Sequence, residues 1–218
     1  MTEIRYACSL GPQCHSSAIL KRLDIKRESY PFDWIFSNIR NVEHSIKDDF
    51  TIFLDTQYYT NKDPESKKQS HSYYFENGAS MFNHHNPIHK NDYDYFVRCV
   101  NRFNTLLTEK EHKLFILTYT NSEIASFTII QKKIQEFKRF LDSIVINYTI
   151  LVILHYVSHE QSHQFNICGN IDFLLLSTKT KSNGMKFIDL DDNIYLDQVI
   201  LSRYMFNVKK LIPKIMLL

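Results

Sequence analysis

Cys14 stands where a short apolar run, Ile4 to Cys8, passes through Ser9-Leu10-Gly11-Pro12-Gln13 into a stretch with helical spacing. A thiol in the first turn of a helix lies among backbone N–H groups that lack intrahelical partners. The positive end of the helix dipole there favours the thiolate. The chemistry this suggests is nucleophilic attack by sulfur on a carbonyl. The competing reading is an ordinary buried cysteine, which packs as a small apolar residue. Such a nucleophile needs a base, and His84 and His85 stand at the end of a predicted strand in Met81-Phe82-Asn83-His84-His85. A thiol–imidazole pair activates the sulfur, and a carboxylate or amide then fixes the imidazole tautomer. Asp33, between Phe32 and Trp34, is the candidate carboxylate, because an ionised group in apolar surroundings needs a partner. A turn or helix-cap role for Asp33 is equally compatible with the sequence, and a surface loop is the alternative for the histidine pair.

A second pattern carries chemistry of a different kind. His159-Glu160-Gln161-Ser162-His163 matches H-E-x-x-H, which on a helix would turn two imidazoles to one side for zinc and leave the glutamate to activate water. Its context argues for a polar loop or strand. The segment follows directly on the apolar run from Tyr148, has few inward-facing apolar residues, and leads into Phe165-Asn166-Ile167-Cys168-Gly169. Neither a G-x-G-x-x-G nor a Walker loop surrounds Gly11. The site is therefore read without a metal or cofactor.

The elements that must position these residues alternate between strand and helix. Ile4 to Ser9 reads as a strand and Cys14 to Leu23 as a helix; Tyr30-Pro31 is extended; a helix spans about Asn38 to Lys47, followed by a short apolar patch at Asp49 to Asp55. Thr56 to Ser70 is a polar loop. Tyr73 to Phe75 and Ala79 to Phe82, around Glu76-Asn77-Gly78, read as a hairpin. Tyr93 to Leu107 and Ile124 to Asp142 have helical spacing, and Ile194 to Lys209 is a plausible closing helix. Lys113 to Tyr119, Tyr148 to Tyr156 and Ile171 to Ser177 read as strands. Because these strands are continuous apolar runs, a predominantly parallel sheet covered by helices on both faces is expected, with a small antiparallel hairpin. Residues 1–218 form a single α/β domain in this reading.

Composition narrows the partners. With 44% hydrophobic residues in 218, the chain can bury a full core, and a net charge of +2 gives no basic stripe for nucleic acid. The amino terminus lacks the pattern of a signal peptide, and no apolar run approaches the length of a membrane span. The four cysteines, at 8, 14, 99 and 168, show no metal-ligand spacing. Reduced thiols in a cytoplasmic setting are the simplest reading.

Taken together, Ser9-Leu10-Gly11-Pro12-Gln13-Cys14, Tyr30-Pro31-Phe32-Asp33-Trp34 and Phe82-Asn83-His84-His85 resemble the S-L-G-x-x-C, P-F-D-W and F-x-H-D motifs of an uncharacterised family of papain-like cysteine peptidase type. That family occurs in bacteria and large DNA viruses. The first two motifs match fully; in the third, His85 replaces the aspartate. The resemblance covers roughly residues 1–140 and leaves the chain from about residue 150 unassigned. It implies Cys14 as nucleophile, His84 as general base and Asp33 as a candidate orienting group. Ser9, Gly11, Trp34 and His85 would then line the substrate, a peptide, ester or other acyl compound. Papain-like enzymes carry the histidine on an antiparallel sheet. The hairpin before His84 could supply one, whereas the alternation after Tyr93 looks doubly wound, a fold class that gathers sites at the carboxyl ends of its strands. A sugar- or nucleotide-utilising transferase or binding domain on that fold is therefore the main alternative, and the zinc hydrolase a weaker one. Ser9 follows a first strand as in SGNH-type esterases, but the Gly-Asp-Ser block and the late Asp-x-x-His of those enzymes are missing.

Overall fold

The computed structural model describes residues 2–61, 63, 65–75 and 79–211. In chain order the elements are β1 (Glu3–Ile4), β2 (Tyr6–Ser9), α1 (Cys14–Arg22), α2 (Ile39–Lys47), α3 (Thr51–Leu54), β3 (Gln69–Ser70), β4 (Ser80–Phe82) and α4 (Lys90–Thr108). There follow β5 (Lys113–Tyr119), α5 (Phe127–Asp142), β6 (Tyr148–Val157), β7 (Ser162–Cys168), β8 (Ile171–Thr178), α6 (Leu190–Arg203) and β9 (Met205–Phe206).

The main sheet has five strands in the order β2-β5-β6-β8-β7. The first four are parallel, and β7 returns antiparallel to β8 at the far edge. Alternating side chains of the central strands feed two separate cores, as the period of two requires. Leu114, Ile116, Leu151 and Ile153 meet α1 and α6 through Ile19, Leu20, Leu196 and Ile200. Phe115, Leu117, Ile150 and Val152 meet the opposite layer of α2 to α5 through Val42, Phe53, Phe103 and Phe137. This is a mixed α/β domain with helices on both faces of a mostly parallel sheet. No helix among the described residues is long and apolar enough to cross a membrane.

Local differences from the expected elements have physical causes. The hairpin arm lies at Gln69–Ser70, not at Tyr73 to Phe75, and pairs antiparallel with Ser80–Phe82. Tyr73 and Tyr74 instead pack on His44 of α2, which takes them out of the ladder. The turn Glu76-Asn77-Gly78 lies outside the described residues. The closing helix starts earlier, at Leu190, because the Asp189 side chain accepts from Asp191 N and caps it. It stops at Arg203, whose guanidinium is held by the buried Asp172 of β8.

Candidate active site

Cys14 is the first residue of α1, and its Sγ lies 3.6 Å from Nε2 of His84. These two side chains come from opposite ends of a 70-residue separation, and a third segment joins them. Ile35 forms an antiparallel bridge with Phe82, and Phe36 N donates to Met81 O at 2.8 Å, which ties this segment to the strand before His84. The next residue turns to the cysteine loop: Ser37 N donates to Pro12 O at 3.0 Å, and Ser37 Oγ donates to Leu10 O at 3.2 Å. Phe32 anchors the segment from below, edge-on to Phe53 and Phe103 in the core. Trp34 then meets the His84 ring edge-on, with centroids 6.2 Å apart.

The cysteine loop depends on Gly11. Its φ is +90°, and a Cβ there would come within 2.0 Å of Ser37 Oγ. Its carbonyl accepts from Ser16 Oγ at 2.7 Å and Thr118 N at 3.1 Å, which docks the loop against α1 and the end of β5. Gln13, the residue before the helix, makes no side-chain cap, so the first-turn N–H groups around Cys14 stay available.

The histidine loop is held by a different set. His85 Nδ1 contacts Asp92 Oδ1 at 3.0 Å, its ring stacks on Tyr95 at 4.4 Å, and Asn86 N donates to the other Asp92 oxygen at 2.8 Å. Asp92 stands in the first turn of α4, where a carboxylate also suits the helix dipole. Of the two histidines, then, His84 faces the sulfur and His85 secures the loop.

Electrostatics at the sulfur favour the neutral thiol at rest. Burial pushes the Cys14 pKa up, the backbone N–H of the helix start pulls it down, and the Asp33 charge pushes it up again. Asp33 is fully buried; Lys26 Nζ contacts its carboxylate, and Tyr30 N donates to Oδ2 at 2.7 Å. Burial raises its pKa against the opposing pull of Lys26.

A sequence profile described as "Putative papain-like cysteine peptidase (DUF1796)" matches residues 5–158. The chain belongs to this family. It is also 27% identical over 208 residues to the uncharacterized protein R408 of Acanthamoeba polyphaga mimivirus, covering 85% of this chain and 88% of the viral one. No solved structure matches. The family match runs from β2 through β6 and so contains all three site segments; the hairpin of β7 and β8 and the helix α6 lie beyond it.

Within this papain-like family member, several expectations need correction. Asp33 faces Lys26, Tyr30 N and Ser17, and among the described residues it makes no hydrogen bond to His84. Ser9 is fully buried and accepts from Gly11 N at 3.2 Å, a bond that shapes the turn. The same bond removes Gly11 N as an oxyanion donor. His85 is engaged by Asp92, which leaves Trp34 as the nominated lining residue that borders the His84 ring. The His159–His163 segment is not helical. Ser162 and His163 are in β7 and His163 bonds Tyr195 Oη at 2.7 Å, while His159 and Glu160 lie in the bend before that strand, so the shared helical face that H-E-x-x-H requires is not formed. Among the described residues no cluster of three His, Cys, Asp or Glu is set to hold a metal ion. Sequence reasoning missed Asp92 and Ser37. An acidic residue in the first turn of the helix after His85 was the available signal for the former; Ser37 gave none, since its role is purely one of tertiary bonding.

Proposed function

We propose that this chain is a cysteine hydrolase or acyl transferase in which Cys14 is the nucleophile and His84 the general base. The observation that carries the reading is the 3.6 Å approach of Sγ and Nε2 at an uncapped helix start. Since burial and Asp33 both disfavour a resting thiolate, His84 takes the thiol proton as sulfur attacks the carbonyl carbon. The Cys14 N–H and its first-turn neighbours face the developing oxyanion. His84 then returns the proton to the leaving amine or alcohol, and water or a second acceptor, deprotonated by His84, releases the acyl group.

The substrate is a peptide, ester or other acyl compound. A pocket of about 370 Å³ beside His84, bordered by Ser66, Asn86 and Asp92, provides room for one side of the scissile bond. All four cysteines are free, which suits a reducing, cytoplasmic setting. A nucleotide- or sugar-transferring role has less support, since the thiol–imidazole pair would have no task in it.

The test is iodoacetamide alkylation across pH, read by peptide mass spectrometry. Cys168 is exposed and serves as the internal free-thiol reference, while Cys8 and Cys99, fully buried where Cys14 keeps 6% exposure, are the unreactive controls. In wild type the Cys14 rate should show a pH dependence distinct from that of Cys168 and fall at least about tenfold in His84→Ala at neutral pH, within the usual range for a general base. A Cys14 that tracks Cys168, or ignores the loss of His84, sinks the proposal.

A further inference from the structure

Beside Trp34 lies an open pocket of about 500 Å³. Lys21, Lys26, Arg27 and Arg102 line it against a single carboxylate, Glu28, and Trp34 forms a wall. The cations are unequally committed. Lys26 pairs with buried Asp33, and Arg102 donates to Ser29 O at 2.8 Å and reaches Glu28 at 3.7 Å. Among the described residues Arg27 pairs with Asp24 alone, a carboxylate 93% exposed to water, so that pair is weak. Lys21 makes no side-chain ion pair or hydrogen bond among the described residues. The pocket therefore offers two cations to an incoming group, with two more behind them that fix the sign of the field.

Its position relative to the sulfur is set by the helix. Lys21 follows Cys14 by seven residues on α1, which returns it to the same face, about 10 Å along the axis at 1.5 Å per residue. Trp34 bridges the two places, since its ring contacts His84 at one edge and stands 6.0 Å from Lys26 Nζ at its centroid. We infer that the substrate carries an anionic group, a phosphate or carboxylate, which binds between Lys21 and Arg27 about 10 Å from the carbonyl attacked by Cys14. This assignment of substrate class rests on the acyl-transfer reading above. The pocket itself can be tested without it.

Trp34 is the only tryptophan of the chain, so its fluorescence reports directly on this pocket. Titration with inorganic pyrophosphate and with citrate, each against sodium chloride at matched ionic strength, should give a saturable change in emission. The Lys21→Gln/Arg27→Gln double variant, checked for fold by circular dichroism, should weaken the response at least about tenfold, roughly the loss of two modest charge-assisted contacts. Response to pyrophosphate alone assigns a phosphorylated substrate; response to citrate as well assigns anionic groups in general. A signal that only follows ionic strength, or that is equal in the double variant, overturns the inference. A second readout joins pocket to sulfur: an iodoacetyl probe with a negatively charged tail about 10 Å long should alkylate Cys14 faster than its neutral analogue, and that rate ratio should collapse in the double variant. If Cys14 proves independent of His84 while the fluorescence titration holds, the acyl-transfer reading fails and the anion site stands.

Discussion

His15 and His155 give this fold an acid sensitivity that can be worked out residue by residue. Both are fully buried against Phe187, with ring centroids 4.9 and 4.6 Å away. His15 Nδ1 bonds Ser182 Oγ at 2.8 Å, and its Nε2 has no partner among the described residues. His155 accepts from Asn121 N at 3.0 Å and donates to Thr178 Oγ1 at 2.8 Å, so neither nitrogen has room for a further proton. Burial lowers the His15 pKa from 6.5 to about 3, helped by the charges of Arg22 and His155. Burial lowers that of His155 from 6.5 to about 4, against the opposing pull of Asp192. A base whose folded pKa is depressed costs nothing above its unfolded value. As pH falls below 6.5 the unfolded chain gains protons that the folded chain refuses, and stability is lost until the folded values are reached. Two residues across two pH units, at 1.36 kcal/mol per unit each, give a loss of about 5 kcal/mol between pH 6.5 and 4.5. His71 and His112 are shifted in the same direction and add to it. Urea unfolding under reducing conditions, followed by Trp34 fluorescence, should show the midpoint dropping steadily over that window. His15→Gln and His155→Gln should each flatten the slope by up to about 1.4 kcal/mol per pH unit. A midpoint that is flat from pH 7.5 to 4.5, or variants that keep the wild-type slope, would refute the reasoning.

Two further perturbations bear on the site. Asp33→Asn leaves Lys26, whose side chain is only 12% exposed, without its counter-charge, and should cost about 3–5 kcal/mol in thermal or urea unfolding. In the folded fraction the same change should lower the Cys14 pKa and speed alkylation, because the Asp33 charge raises it; a slower Cys14 would mean that Asp33 supports the base after all. Gly11→Ala forces a Cβ into Ser37 Oγ at a φ of +90° and should cost about 1–3 kcal/mol, a fall in Tm of a few to about ten degrees for a chain of this size. An unchanged Tm would show that the cysteine and histidine loops are not joined through Ser37.

Much of the fold was legible because local pattern and tertiary role agree. Lys113 to Thr118 and Tyr148 to His155 are buried on both faces, and a strand buried on both faces reads as a nearly continuous apolar run. The helices α4 and α5 show their three- and four-residue spacing because one side of each meets the core. The strand β7 was hidden for the opposite reason. As an outer edge it is exposed along nearly its whole length, so its polar residues carry no core pattern, and a polar edge also discourages unwanted pairing.

The same division runs through the site. Residue type and order nominated Cys14 at a helix start and the pair His84 and His85 at a strand end, since thiol activation and imidazole basicity are local chemistry read from local elements; the preference for His84 came from the family motif. The chain order could not say that Asp33 faces Lys26, that His85 faces Asp92, or that Ser37 ties Leu10 and Pro12 to the segment carrying Trp34. Those pairings join residues from 7 to 27 positions apart through side-chain direction and burial, which only the packed structure decides.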